Sequence, residues 1–115
     1  MTIDRPGPSG TVTFLFSDIE GSSRLEQDLG TDSYANVLAR HRAILRATFE
    51  AHGGAEQGTE GDSFFVVFSS ATEALRAAIE SQLGLAAEVW PEGRAVRVRI
   101  GVHTGEVTRV GEGYV

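Results

Sequence analysis

Tyr34, Val37, Leu38, His41, Ile44, Leu45, Thr48 and Phe49 recur at spacings of three and four, with Arg40, Arg42, Arg46 and Glu50 off that stripe. Such positions share one face only in an α-helix. At 3.6 residues per turn the helix runs about five turns, and Gly53-Gly54 ends it as a left-handed cap does. A stripe of that length must be buried against something broad. The rest of the chain supplies a sheet. Thr11–Ser17 (TVTFLFS) is β-branched, aromatic and almost continuously apolar, as expected of a central strand covered on both faces. Ala55–Thr59 and Ser63–Phe68 read as two more strands, with Glu60-Gly61-Asp62 as a tight hairpin turn. Ala95–His103 alternates, placing Val96, Val98, Ile100 and Val102 on one face.

Two further helices complete the pattern. Gly21–Leu29 forms a short one ended by Gly30. Ser70 with Glu73 reads as a capping box for another, whose apolar face is Leu75, Ala78, Ile79, Leu83 and Ala86. The order β-α-α-β-β-α-β predicts an α+β fold, a ferredoxin-like split βαβ sandwich with helices on one sheet face. Residues 1–10, polar and carrying Pro6 and Pro8, read as a flexible lead-in. Residues 11–115 form one domain. Val107–Val110 reads as a short strand and Gly111–Val115 as a turn into another element. The domain is therefore expected to be incomplete at its C-terminus.

Composition narrows the function. The net charge is -6 with no basic stretch, which argues against nucleic acid as a partner. An acidic chain still binds nucleotides where a metal bridges carboxylates to phosphates. There are no cysteines, hence no disulfides and no thiolate chemistry. The N-terminus has no apolar signal segment and no run reaches membrane-spanning length. No membrane association and a cytoplasmic location are the expectation.

Two acidic residues stand where the chain turns sharply, Asp18 at the end of the first strand and Asp62 at the hairpin tip. In a split βαβ fold these elements are neighbours, so the two carboxylates converge at one sheet edge and share hard divalent cations. Glu20-Gly21-Ser22-Ser23 follows at a helix start, where free N–H groups and small side chains form an anion site. Taken singly, Asp18 also reads as a helix N-cap and Asp62 as an ordinary turn residue. His41 on the apolar stripe reads as a packed residue, His52 as a helix C-terminal cation, and His103 as a strand residue; the three lack metal-ligand spacing. Trp90 is expected to pack where the third helix ends.

These residues carry a family resemblance. Phe16-Ser17-Asp18-Ile19-Glu20-Gly21-Ser22 resembles the first metal motif of class III adenylate and guanylate cyclases, and Thr59-Glu60-Gly61-Asp62-Ser63-Phe64-Phe65 the second. Arg99-Ile100-Gly101-Val102-His103-Thr104-Gly105 resembles a later strand of that domain. The resemblance covers roughly Gly10 to Val115, and three ordered motifs are far more specific than one. It implies that Asp18 and Asp62 hold two Mg2+ or Mn2+ ions with help from the Ile19 carbonyl. It implies that Gly21, Ser22 and Ser23 contact the triphosphate of ATP or GTP. The product would be a 3′,5′-cyclic nucleotide with pyrophosphate. The domain would work as a head-to-tail homodimer, or as a heterodimer with another cyclase domain.

The sequence also departs from the family. Where adenylate cyclases carry a base-reading lysine and guanylate cyclases a glutamate, this chain has Gly58. By strand alternation Glu56 shares a face with Gly58, and Gln57 lies on the other. Gly113 falls at the second base-reading position. The asparagine and arginine that stabilise the transition state are not matched within the chain. Arg94, Arg97, Arg99 and Arg109 read as surface or strand residues. Little or no activity is expected of this chain alone. The alternative is a non-catalytic module that binds metal-nucleotide or dimerises within a regulatory system.

Overall fold

A computed structural model describes residues 10–110, 113 and 114. The elements follow in the order β1 (Gly10–Ile19), α1 (Ser22–Leu29), α2 (Thr31–Ala51), β2 (Ala55–Glu60), β3 (Ser63–Phe68), α3 (Ala71–Ala87), a short 3-10 turn (Pro91–Gly93), β4 (Val98–Val107), β5 (Arg109–Val110) and β6 (Gly113–Tyr114). Four strands form a sheet in the order β2-β3-β1-β4, every neighbouring pair antiparallel. β1 and β2 thus flank β3, and β3 and β4 flank β1. This is the split βαβ arrangement that the sequence predicts, with β1 central.

β1 is longer than its apolar run. It starts at Gly10, the last residue assigned to the lead-in, and runs through Asp18 to Ile19. The rest of the lead-in lies outside the described residues. Leu15 and Ile19 of β1 and Phe64, Val66 and Phe68 of β3 face the helices and are buried. They meet the α2 stripe of Val37, Leu45 and Phe49, and Phe49 stands edge-on to Phe64 at 5.3 Å between ring centres. His41 lies in the same stripe and is fully buried, as a packed residue. Gly30, at φ 85, both ends α1 and precedes α2. Only glycine takes such a positive φ freely, and this lets two helices follow one another without a loop.

The third helix differs from its sequence reading. Of its expected apolar face, Ala78 packs against the core, but Leu75, Ile79 and Leu83 point to solvent at 54%, 61% and 64% exposure, and Ala86 is exposed too. The buried face is Ala74, Ala77, Ser81 and Leu85. Small residues let α3 approach its neighbours closely. At Gly84, an added Cβ would already stand 3.1 Å from Ile44 Cγ2 of α2. Half of the capping box forms: the Ser70 hydroxyl accepts from the Glu73 amide at 3.2 Å. The Glu73 carboxylate turns instead to His52 and Arg76. Trp90 packs below the helix end and donates its indole N–H to the Leu85 carbonyl at 2.9 Å.

β4 starts at Val98, three residues later than expected, and continues to Val107. Val96 is buried ahead of the strand, Val98 is buried in it, and Val102 is 38% exposed where the sheet runs out from under the helices. The short strand expected at Val107–Val110 is Arg109–Val110, paired with Gly113–Tyr114. Of the expected Gly111–Val115 turn, Gly111, Glu112 and Val115 lie outside the described residues. No helix of the described residues is long and apolar enough to cross a membrane.

Candidate functional site

The β2–β3 hairpin turns at Gly61-Asp62, with Gly61 at φ 58, as the primed two-residue turns that match strand twist require. Arg42 of α2 donates to the Gly61 carbonyl and ties the tip to the helix layer. Ser17 pairs with Phe64 in the β1–β3 register. Continuing that register by two places sets Ile19 against Asp62. The Asp62 carboxylate closes the ladder there, accepting the Ile19 amide at 2.6 Å through Oδ2. The hairpin tip and the end of β1 therefore meet, as the sequence predicts.

The two carboxylates have different partners. Asp18 lies opposite Arg99 of β4. Its Oδ1 and Oδ2 accept from Arg99 Nε and Nη2 at 2.8 and 2.9 Å. That hydrogen bond and the charge of Asp18, aided by Glu20 and Asp62, hold the Arg99 guanidinium pKa above its ordinary value. Asp18 is thus bound to a cation of the chain itself, and Asp62 to the backbone beside it. Among the described residues no group of three or more His, Cys, Asp or Glu side chains could hold a metal. Two carboxylates with a backbone carbonyl are nonetheless hard oxygen donors of the type that suits Mg2+ or Mn2+. Mg2+ commonly takes one or two carboxylates and completes its shell with water and substrate phosphates.

The phosphate candidates join this centre. Gly21 adopts a left-handed conformation, φ 64 and ψ 36, and caps α1 with no side-chain hydrogen bond. Ser22 and Ser23 open the helix. Ser22 lies close enough to the Tyr34 phenol of α2 to favour its ionised form. Burial chiefly raises the Tyr34 pKa, and the nearby Asp62 charge adds to it. Burial likewise lowers the His41 pKa, against the opposing effect of Asp62. Asp62, Ser22, Tyr34 and His41 thus form one neighbourhood at the junction of hairpin tip and helix starts. Tyr34 and Arg42 were legible in sequence only as members of the helix, one on the stripe and one off it.

The residues around the expected base-reading position Gly58 separate. Gly58 pairs with Phe65 and Glu56 with Val66, with a register shift between them. This β-bulge at Gln57 inserts one residue and breaks the alternation. Glu56 and Gly58 therefore lie on opposite faces, correcting the expectation that they share one. Glu56 faces the helices, where Arg46 binds it in a fork at 2.8 and 3.0 Å and Thr59 donates to it. It is a structural residue. Gly58 faces a cleft of about 620 Å³ on the helix-free side, lined also by Phe16, Asp18, Phe65, Arg99 and Gly101. A Cβ at Gly58 would meet no atom within 4 Å. Phe16 stacks on Phe65 at 4.7 Å and stays half exposed. Gly113 lies in β6, and the structure brings it into no described contact with Gly58.

One acidic residue thus stands near the end of β1, inside an antiparallel split βαβ sheet, and another at the adjoining hairpin tip. A model of the adenylate and guanylate cyclase catalytic domain matches residues 5–113, and the chain belongs to this family. An uncharacterised protein of Mycobacterium tuberculosis is 34% identical over 117 residues, covering 100% of this chain and 38% of the relative. An adenylate cyclase of Lachancea kluyveri is 38% identical over 85 residues, 74% of this chain and 5% of that protein. The chain therefore spans well under half the length of these curated relatives. Among solved structures, a Trypanosoma brucei adenylate cyclase in its monomeric state superposes with a TM-score of 0.81 at 24% identity, covering 98% of this chain and 65% of the other. The guanylate cyclase domain of RhGC from Catenaria anguillulae, in complex with GTP, gives 0.77 at 22% identity, covering 86% and 58%.

Proposed function

We propose that this chain supplies the metal- and phosphate-binding half of a nucleotidyl cyclase site. Asp18, Asp62 and the Ile19 carbonyl hold Mg2+ or Mn2+, and Gly21, Ser22 and Ser23 receive the phosphates of ATP or GTP. The bound metal supplies charge neutralisation at the phosphates and activation of the attacking hydroxyl. The chain's own contribution is positional. Asp62 clamps the hairpin tip to β1 through the Ile19 amide, and Gly21, in a left-handed conformation, starts α1 two residues further along the chain. The observation that carries the reading is that 2.6 Å contact, which unites the two motifs at one sheet end.

Gly58 offers no side chain to hydrogen-bond a base, and Glu56 is held elsewhere by Arg46. Turnover by this chain alone is therefore small. The base-reading and transition-state groups come from a partner, another cyclase domain in a homodimer or heterodimer in the cytoplasm. Calorimetry with Mn-ATP and Mn-GTP tests the reading. Binding of both, with less than about tenfold preference and loss in Asp18→Ala, supports it; no detectable binding, or binding unchanged in Asp18→Ala, refutes it.

A further inference from the structure

Both oxygens of Asp18 are engaged by one guanidinium, in a fork-on-fork geometry that fixes both planes. A divalent ion on Asp18 needs at least one of those oxygens, and its charge repels the arginine. The two cations therefore exclude each other. We propose that Arg99 is a displaceable internal cation, which occupies Asp18 when no metal is bound and competes with the metal for it. This inference rests on Asp18 being a metal ligand.

Three features make the arrangement a competitor and not a permanent lock. The pair is open to water, with the Arg99 side chain 67% exposed and the Asp18 side chain 42% exposed. Exposed pairs of this kind are weak and are screened by salt. The backbone of Arg99 cannot leave, because β4 pairs with β1 along Gly10–Ile19 with Asp18 directly opposite Arg99. Only the side chain swings away, so its return is intramolecular and does not depend on concentration. Glu20 and Asp62 also act on the guanidinium charge, so a displaced Arg99 stays in acidic surroundings. The consequence is a metal site that is partly self-blocked. It fills most readily when phosphate oxygens add to the coordination and offset the arginine's hold.

The test is Mn2+ binding to the full chain, read as free Mn2+ by electron paramagnetic resonance, without reference to activity. The variants are Arg99→Gln, Arg99→Lys, Asp18→Asn and Asp62→Asn, each checked for native circular dichroism. Removing the exposed pair and its charge repulsion is expected to tighten Mn2+ binding about three- to tenfold in Arg99→Gln. Arg99→Lys falls between this variant and the wild type, because an ammonium keeps the charge but not the fork. It also serves as the probe if Arg99→Gln does not fold. Asp18→Asn binds Mn2+ more weakly than the wild type. Affinity in Arg99→Gln and Arg99→Lys equal to or below wild type, with Asp18→Asn still weakened, overturns the competition and leaves the metal reading standing. Wild-type affinity in both Asp18→Asn and Asp62→Asn overturns the metal reading itself, and the competition with it.

Discussion

Asp62 carries two roles that substitution separates. Its carboxylate holds the buried Ile19 amide at 2.6 Å, and in the proposed function it also binds metal. Asp62→Ala removes both. A hydrogen bond to a charged acceptor is worth about 1.5–3 kcal/mol when one partner is deleted. Asp62 is half-buried, so water replaces part of that, and the expected loss is about 1–2 kcal/mol. With a urea dependence of roughly 1–2 kcal/mol per molar for a chain of this size, the midpoint falls by about 1 M. Asp62→Asn keeps a neutral acceptor for the Ile19 amide and is expected to lose less than about 1 kcal/mol. Both variants should bind Mn2+ more than about tenfold more weakly, since each removes one negative charge from the few ligands the chain offers the cation. Urea melts followed by circular dichroism, with Mn2+ titrations of the same samples, check both. An Asp62→Ala variant as stable as the wild type refutes the structural clamp. An Asp62→Asn variant with wild-type Mn2+ affinity refutes the metal role.

Gly54→Ala places a Cβ 2.7 Å from Val66 Cγ1 and 2.8 Å from Phe68 Cζ, both buried. Overpacking of this kind costs about 1–3 kcal/mol in urea melts, whereas Gly58→Ala, with open space at its Cβ, should be neutral or slightly stabilising; equal effects at the two glycines would contradict the packing described. His52 donates from both ring nitrogens, to Glu73 at 2.8 Å and Glu80 at 3.0 Å, which needs the protonated ring and raises its pKa above the ordinary 6.5. Its contribution is fully present below that value and disappears as pH rises through the folded-state pKa, while Glu73, held below its ordinary 4.5 chiefly by His52, loses its own contribution on further acidification. The stability gap between wild type and His52→Gln should therefore be largest between about pH 4.5 and 6.5 and shrink above; a constant gap from pH 5.5 to 9 speaks against the pair. Changing Leu75, Ile79 and Leu83 together to glutamine should change the unfolding free energy from urea melts by less than about 0.5 kcal/mol per residue and reduce self-association in light scattering, and a large loss of stability would place that stripe in the core.

Elements with one dominant signal were legible from the sequence. β1 announced itself by a continuous apolar run, α2 by a stripe long enough to exclude other periods, and the hairpin by Gly61-Asp62 between two strands. The buried face of α3 is harder to read because the helix carries two apolar stripes. The larger side chains, Leu75, Ile79 and Leu83, are not the ones it buries. Close packing on α2 and the sheet selects Ala74, Ala77 and Ser81 for burial, and hydropathy alone does not register closeness. In the candidate site, the meeting of the hairpin tip with the end of β1 followed from topology, but the faces of Glu56 and Gly58 did not. One extra residue in a bulge reverses alternation, and nothing in Glu56-Gln57-Gly58 marks it. Arg99 was read as a plain strand residue because its partner is 81 positions away and emerges only from the β1–β4 register.

The central claim is that this chain offers a competent metal-phosphate half-site. The most direct measurement mixes it with a cyclase domain that keeps its base-reading and transition-state residues but has both metal aspartates changed to alanine. With Mn2+ and ATP or GTP, cyclic nucleotide should form in the mixture, not in either component alone, and should vanish with Asp18→Ala in this chain. A mixture that associates, as judged by sedimentation, yet yields no cyclic nucleotide, or yields it regardless of Asp18, contradicts the account.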